Sequence, residues 1–279
     1  MSGDHEALHF AASNPAALCT IVGIDGSFSR RVGAQLAVGR DGTLAGDLAD
    51  NCLNAELANQ AFLDEGTRLL RYGKESPFID FRLPCGSGLD ILIEPAPDRT
   101  VLRACVDGLA RRHEVGLPLP LPDGADGSFL KRRHYIPPLR LVLLGAGAEC
   151  AALQRLATAQ GIAVDWREAG NGLALDKVPS DLVADAWTAV LLLFHDHEWE
   201  HALLRWAATT DAFYIGAQGG APARIERIER LRAAGMNEKA IARITSPVGL
   251  IPRARDPQVL ALSVLAHVVG AYEGLHPHS

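Results

Sequence analysis

From residue 139 onward the sequence alternates short, largely apolar runs with stretches of helical period, the signature of a parallel sheet with helices on its faces. Residues 139–144, 162–166, 189–194 and 212–215 read as strands. Residues 148–160, 199–208 and 222–234 read as helices, the last of these stopping at Gly235 as a C-cap glycine requires. A final helix begins at Asp256-Pro257, an N-cap followed by proline at the first helical position, and runs to about 272. The expected fold class is α/β, with a C-terminal Rossmann-like, doubly wound parallel sheet.

Upstream the pattern differs. Runs 17–22, 34–38, 78–83 and 89–94 are β-like, with Pro84-Cys85-Gly86-Ser87-Gly88 as the tip of a hairpin joining the last two. One helix is expected over 53–72 and another after Asp98, a good N-cap, to about 112. This describes a small α+β domain. Between the two patterns, residues 117–127 combine prolines that cannot donate to a ladder with glycines that resist ordering. The expected division is therefore 1–112, a linker at 113–138, and 139–279.

Charge and composition narrow the function. Lys plus Arg number 27 against 33 Asp plus Glu, a net charge of −6, which leaves no footprint for a nucleic-acid backbone. The longest apolar stretches, 189–194 and 259–269, fall short of the roughly 20 residues a membrane span needs. The first residues carry neither the basic start nor the apolar run of a signal peptide, so a cytoplasmic protein is expected. Five cysteines without a CxxC pair suggest neither a disulfide framework nor a four-thiolate zinc site.

The chemistry-bearing residues fall in three groups. Gly145-Ala146-Gly147-Ala148-Glu149-Cys150 follows a strand and opens a helix, where a ligand phosphate would meet unpaired N–H groups. Its third small position is Cys150, and Asp165, 20 residues after Gly145, is placed to accept a ribose hydroxyl. His195-Asp196-His197-Glu198 follows the third strand of this domain at its carboxyl end, where the rings could hold a metal or an anion and where a plain polar loop with an N-cap is the alternative. Cys52, at a helix start whose dipole favours a thiolate, and Cys85, between Pro84 and Gly86, are the candidate reactive thiols. Cys19, Cys105 and Cys150 read as buried and inert. Arg30 and Arg31 read equally as an anion contact or a solvated turn, while Lys131-Arg132-Arg133-His134 and the histidines His276 and His278 read as solvated.

Taken in order, these segments resemble one family. Thr20-Ile21-Val22, Gly26-Ser27, Gly33-Ala34, Asp41-Gly42, Gly46, Cys52-Leu53 and Cys85-Gly86 with Glu94-Pro95 are similar to the N-terminal domain of the XdhC/CoxI-type xanthine dehydrogenase accessory proteins. Gly145-Ala146-Gly147, His195-Asp196-His197-Glu198, Ala212-Phe213-Tyr214-Ile215-Gly216, Glu229 to Gly235, and Pro247-Val248-Gly249-Leu250 with Ala254-Arg255 match its second domain. The resemblance runs from about residue 17 to 272. It implies a maturation factor rather than a catalyst, one that holds the molybdenum cofactor, as molybdopterin or its dinucleotide form, and inserts it into a molybdenum hydroxylase of the xanthine, aldehyde or CO dehydrogenase type. It further implies a homodimer and a cysteine desulfurase as a second partner. The residues it assigns to the cofactor are Cys52, Cys85, Gly86, Gly145, Gly147, Asp165, His195, His197, Tyr214 and Gly216, with Cys85 toward molybdenum.

The sequence departs from the family pattern at Asp50-Asn51, at Gly86-Ser87-Gly88, at Gly220-Ala221-Pro222 and at Ile251. Two other readings stand beside the chaperone. An NAD(P)-dependent oxidoreductase would need a positioned proton donor, and only His195 and His197 offer one, with no Tyr-x-x-x-Lys pair. The other is a ligand-free interaction protein of the same fold.

Overall fold

The computed structural model describes residues 3–48, 51–76 and 86–276. The chain divides between Pro137 and Pro138 into two units, the second reaching Leu275.

The first unit comprises α1 (Gly3–Ser13), β1 (Ala16–Asp25), β2 (Gln35–Gly39), β3 (Leu44–Gly46), α2 (Asn51–Gln60), β4 (Arg68–Gly73), β5 (Gly88–Glu94), α3 (Arg99–Ala110), β6 (Val115–Pro118) and β7 (Arg132–Tyr135). Five strands form an antiparallel sheet in the order β3-β2-β1-β5-β4. The first seven residues of β1 are all buried because both faces of the sheet are covered. Ala17, Cys19 and Ile21 pack with Leu53 and Leu57 of α2, while Leu18 and Val22 join Leu8 of α1 and Leu102 of α3. Asp98 caps α3 as expected, its carboxylate accepting from the N–H groups of Thr100 and Val101.

Several sequence expectations change here. The helix expected over 53–72 ends at Gln60, and 68–73 form β4, because β5 needs a partner on its free edge: Gly73 stands opposite Gly88 and Arg68 opposite Ile93. With β1 on the other edge, β5 takes its hairpin partner from β4; residues 78–83 and Cys85 lie outside the described residues. The stretch read as a linker at 113–138 is built into the first unit. β6 and β7 pair, Leu117, Leu119 and Tyr135 are buried, and the Tyr135 hydroxyl donates to Gln35, whose amide donates to Thr20 Oγ1 at 2.9 Å. Arg133, read as solvated, is 1% exposed and stacks over the Tyr135 ring at 4.7 Å, and His276 is likewise buried.

The second unit comprises β8 (Arg140–Gly145), α4 (Ala148–Ala159), β9 (Ala163–Ala169), β10 (Gly172–Leu173), β11 (Thr188–Leu193), α5 (Glu200–Thr209), β12 (Tyr214–Ala217), α6 (Ala221–Ala233), α7 (Glu238–Ala242), β13 (Ile244–Thr245) and α8 (Pro257–Glu273). All six strands are parallel, in the order β10-β9-β8-β11-β12-β13. In chain order that is 3-2-1-4-5-6, the doubly wound Rossmann arrangement, whose direction of winding reverses between β8 and β11. Beyond their first residues, Arg140 and Thr188, both strands are apolar and buried on two faces, as central parallel strands are. Among the described residues no helix is long and apolar enough to cross a membrane.

Candidate functional site

The reversal point places the ends of β8 and β11 side by side, with Gly145 opposite Leu193. Ligands of open α/β sheets bind in the crevice outside such carboxyl ends. Gly145 is obligatory: a Cβ there would stand 2.3 Å from the Leu193 carbonyl oxygen, and its φ of 140° suits only glycine. The Trp166 ring N–H donates to the Gly145 carbonyl at 2.8 Å and pins the turn. Gly147, φ 105°, is the N-cap of α4 and supplies no side-chain acceptor, so the first N–H groups of the helix have no capping side chain. Cys150 fills the third small position as packing. It is fully buried, lies 3.9 Å from the Leu193 carbonyl, and burial pushes its thiol up to about 12.

His195 and His197 both follow β11, but their settings differ. His195 is open to solvent, with Nε2 3.6 Å from the carboxylate of Glu149 in the first turn of α4. Asp196 is an N-cap, accepting from the Glu198 N–H at 3.0 Å. The His197 Nδ1 contacts Glu200 Oε1 at 3.0 Å, and Glu200 is buried against Arg227 of α6. Arg227 donates twice to Glu200, at 2.8 and 3.1 Å, and also to Ser246 Oγ and the Gln218 carbonyl, both at 2.6 Å. The loops after β11, β12 and β13 are thereby tied to one buried ion pair, Glu200–Arg227, and of the residues around it only His197 was marked by the sequence. Glu200 and Arg227 carry no local motif. Their partnership is a product of α5 and α6 packing.

Three assigned residues leave the crevice. Asp165 is the third residue of the seven in β9, not its end, and is bound by Arg167 at 2.5 and 3.2 Å. Leu144 pairs with Arg167, so the acid level with Gly145 is Glu168, of which the 20-residue spacing fell short. Tyr214 opens β12 at the amino end, away from the crevice. Its hydroxyl meets His267 Nδ1 of α8 at 3.0 Å, and burial raises its pKa to about 12. Gly216 serves packing, since a Cβ would stand 2.7 Å from Val248 Cγ2.

In the first unit Cys52 is exposed at the second residue of α2, while Cys19 is buried with its thiol pushed up to about 12. Cys105 is also buried, its pKa raised by desolvation. Gly86 has open space where a side chain would stand, and β5 begins two residues later. At that end of the sheet a broad cleft of about 850 Å³ is lined by Asp25, Glu75, Asp90 and Asp126, with Arg71 bridging Asp90 at 2.5 Å and Asp25 at 3.2 Å. Four acids against one arginine make it unsuited to an anion. Arg30, a second candidate anion contact, is paired with Asp47 at 2.5 Å. Among the described residues no group of three or more His, Cys, Asp or Glu side chains is arranged to hold a metal ion.

Known proteins agree with this architecture. Residues 141–268 match the XdhC Rossmann domain, and residues 9–73 match the XdhC and CoxI family. The chain is 33% identical over 269 residues to the molybdenum cofactor insertion chaperone PaoD of Escherichia coli strain K12, covering 91% of this chain and 82% of that protein. It is 24% identical over 314 residues to a probable xanthine dehydrogenase subunit from Bacillus subtilis strain 168, covering 91% and 92%. A crystal structure of a xanthine dehydrogenase from Bacillus halodurans superposes with a TM-score of 0.75 at 19% identity over 100% of this chain and 98% of that one, a likeness of fold. With both domains matched in order and a relative of this identity spanning nine-tenths of its length, the chain belongs to the XdhC and CoxI family.

Proposed function

We propose that this protein is a molybdenum cofactor insertion chaperone that holds the cofactor and passes it to a molybdenum hydroxylase. The observation that carries the reading is the identity with the Escherichia coli insertion chaperone across both units. The chemistry of the crevice is consistent with it. Gly145 and Gly147 bring unpaired N–H groups to a reversal point where a phosphate of the cofactor would bind, with His195 at its mouth and His197 held on Glu200. We assign the soft metal end to a thiol, Cys85 beside Gly86 first and the exposed Cys52 second. A cytoplasmic homodimer with a cysteine desulfurase as further partner completes the proposal.

Anaerobic titration of the full chain with molybdenum cofactor tests it. Binding at about micromolar affinity or tighter, weakened in Cys85→Ala, is expected; no binding by the parent overturns the reading. The 3-2-1-4-5-6 strand order favours a second ligand class, a nicotinamide dinucleotide, so NAD and NADP belong in the same titration. Binding of those nucleotides alone would favour the oxidoreductase.

A further inference from the structure

A second cavity lies in the first unit, on the opposite end of β5 from Gly86. It holds about 300 Å³ and is bounded by Pro97, Val101, Leu117, Leu119 and Pro120, apolar walls from the start of α3 and from the segment around β6. Glu94, the last residue of β5, lines it. Glu94 is 8% exposed, and among the described residues neither of its carboxylate oxygens has a hydrogen-bond donor; Oε2 is closed from water as well. Arg68, on the neighbouring strand, directs its guanidinium to Asp64 at 3.1 Å and to the Gln60 carbonyl. A buried carboxylate without a donor costs free energy unless something supplies one. The slot therefore lacks a flat, largely apolar group that presents N–H donors to its floor.

We propose that this slot binds the 2-amino-4-oxopyrimidine edge of a pterin, with Glu94 accepting its two parallel N–H donors in a bidentate pair. This rests on the chaperone reading, since the cofactor it carries is a pterin, and guanine presents the same edge; because the slot lies at the far end of β5 from Gly86, a cofactor whose pterin sits here does not reach Cys85, and the slot is an alternative anchor to that thiol. Desolvation raises the Glu94 carboxyl to about 7, so a ligand that needs the carboxylate binds more tightly as pH rises. The titratable and charged groups around Glu94 are Cys19 on β1, Arg68 on β4, Tyr135 on β7 and Asp98 before α3. The Cys19 thiol, pushed up to about 12, and the Tyr135 phenol, raised further by burial, keep their protons through the range of the test.

The test uses the full chain, its Glu94→Gln variant, which preserves shape, and Val101→Trp, which blocks the slot from its exposed rim. Free pterin is titrated by fluorescence anisotropy, GMP by calorimetry, and molybdenum cofactor anaerobically. Pterin is expected to bind the parent about tenfold more tightly at pH 8 than at pH 6. It should bind each variant at least roughly tenfold more weakly at pH 8, with the pH dependence gone in Glu94→Gln. GMP binding with the same variant losses supports the edge recognition and names guanine as its source. Equal pterin affinity in parent and both variants, or no pterin or GMP binding by the parent, overturns the slot. Cofactor uptake equal in parent and Glu94→Gln overturns the slot while the chaperone reading stands. Pterin binding without cofactor uptake overturns the chaperone reading alone.

Discussion

Glu94 carries a stability signature independent of any ligand. Its carboxyl titrates at about 7 in the folded chain against an ordinary 4.5, so between those values the folded state holds a proton that the unfolded state has released. Stability is greatest below the lower value and falls as pH rises through the upper one, by about 3 kcal/mol at the full shift. Glu94→Gln is expected to flatten that decline and to exceed the parent by roughly 1–3 kcal/mol at pH 8. Urea midpoints at pH 5 and pH 8 measure it, and a parent equally stable at both would contradict the assignment. The cysteines separate just as clearly. Brief iodoacetamide treatment of the native protein at pH 8, read by mass spectrometry, should label the exposed Cys52 and leave Cys19 and Cys150 unmodified, since their thiols are buried and lifted to about 12. Labelling of Cys150 before unfolding would contradict its packing role. The division among these cysteines was legible in the sequence, because an apolar run and a glycine turn are local settings. The setting of Glu94 was not: it looks like the end of an ordinary strand, and its isolation is made by α3 and β6.

At the scale of elements, the turn from β8 to α4 and the clasp beneath β11, β12 and β13 are the two devices that shape the crevice. Gly145→Ala places a Cβ on the Leu193 carbonyl in a backbone region closed to alanine, and a loss of about 2–4 kcal/mol is expected by urea denaturation. Arg227→Ala leaves Glu200 buried without its cation, with an expected cost of about 3–5 kcal/mol. Because Arg227 ties three loops at once, hydrogen exchange should rise in 195–199, 218–220 and 246–249 together; a rise confined to α6 would deny the clasp. The turn was visible beforehand because glycine spacing after an apolar run is a local signal. The clasp was not, because an ion pair between positions 200 and 227 exists only after two helices have packed. The same distinction explains the overextended helix at 53–72. Ala55, Leu57 and Ala58 continue a helical pattern to Gln60, whereas adjacent Leu69 and Leu70 conceal the alternation of β4, which the free edge of β5 decides. The two-residue strands β10 and β13 have no sequence signature at all and are defined by the neighbours they extend.

At the scale of the whole molecule, each unit encloses its own apolar core, on both faces of the antiparallel sheet in the first and around Val142, Leu192 and Leu204 of the parallel sheet in the second. Residues 138–275 expressed alone are therefore expected to give one cooperative thermal transition by circular dichroism, and a broad, noncooperative melt would refute their autonomy. The change from an α+β pattern to alternating strands and helices was readable along the chain, as was the order of family motifs. What prolines and glycines concealed was that 113–138 is secured by Tyr135 and Leu117 rather than left as a tether. A further contact beside the turn into α4 sets how firmly an anion is held there. Glu149 places a negative charge in the first turn of α4, where a phosphate would otherwise have the helix dipole to itself, and exposed His195 stands close enough to offset that charge only when protonated. Such a berth sets a ceiling on affinity. On the function proposed above, a phosphate arriving here would meet a rival already in place, so it is held less firmly than at a helix end without the acid.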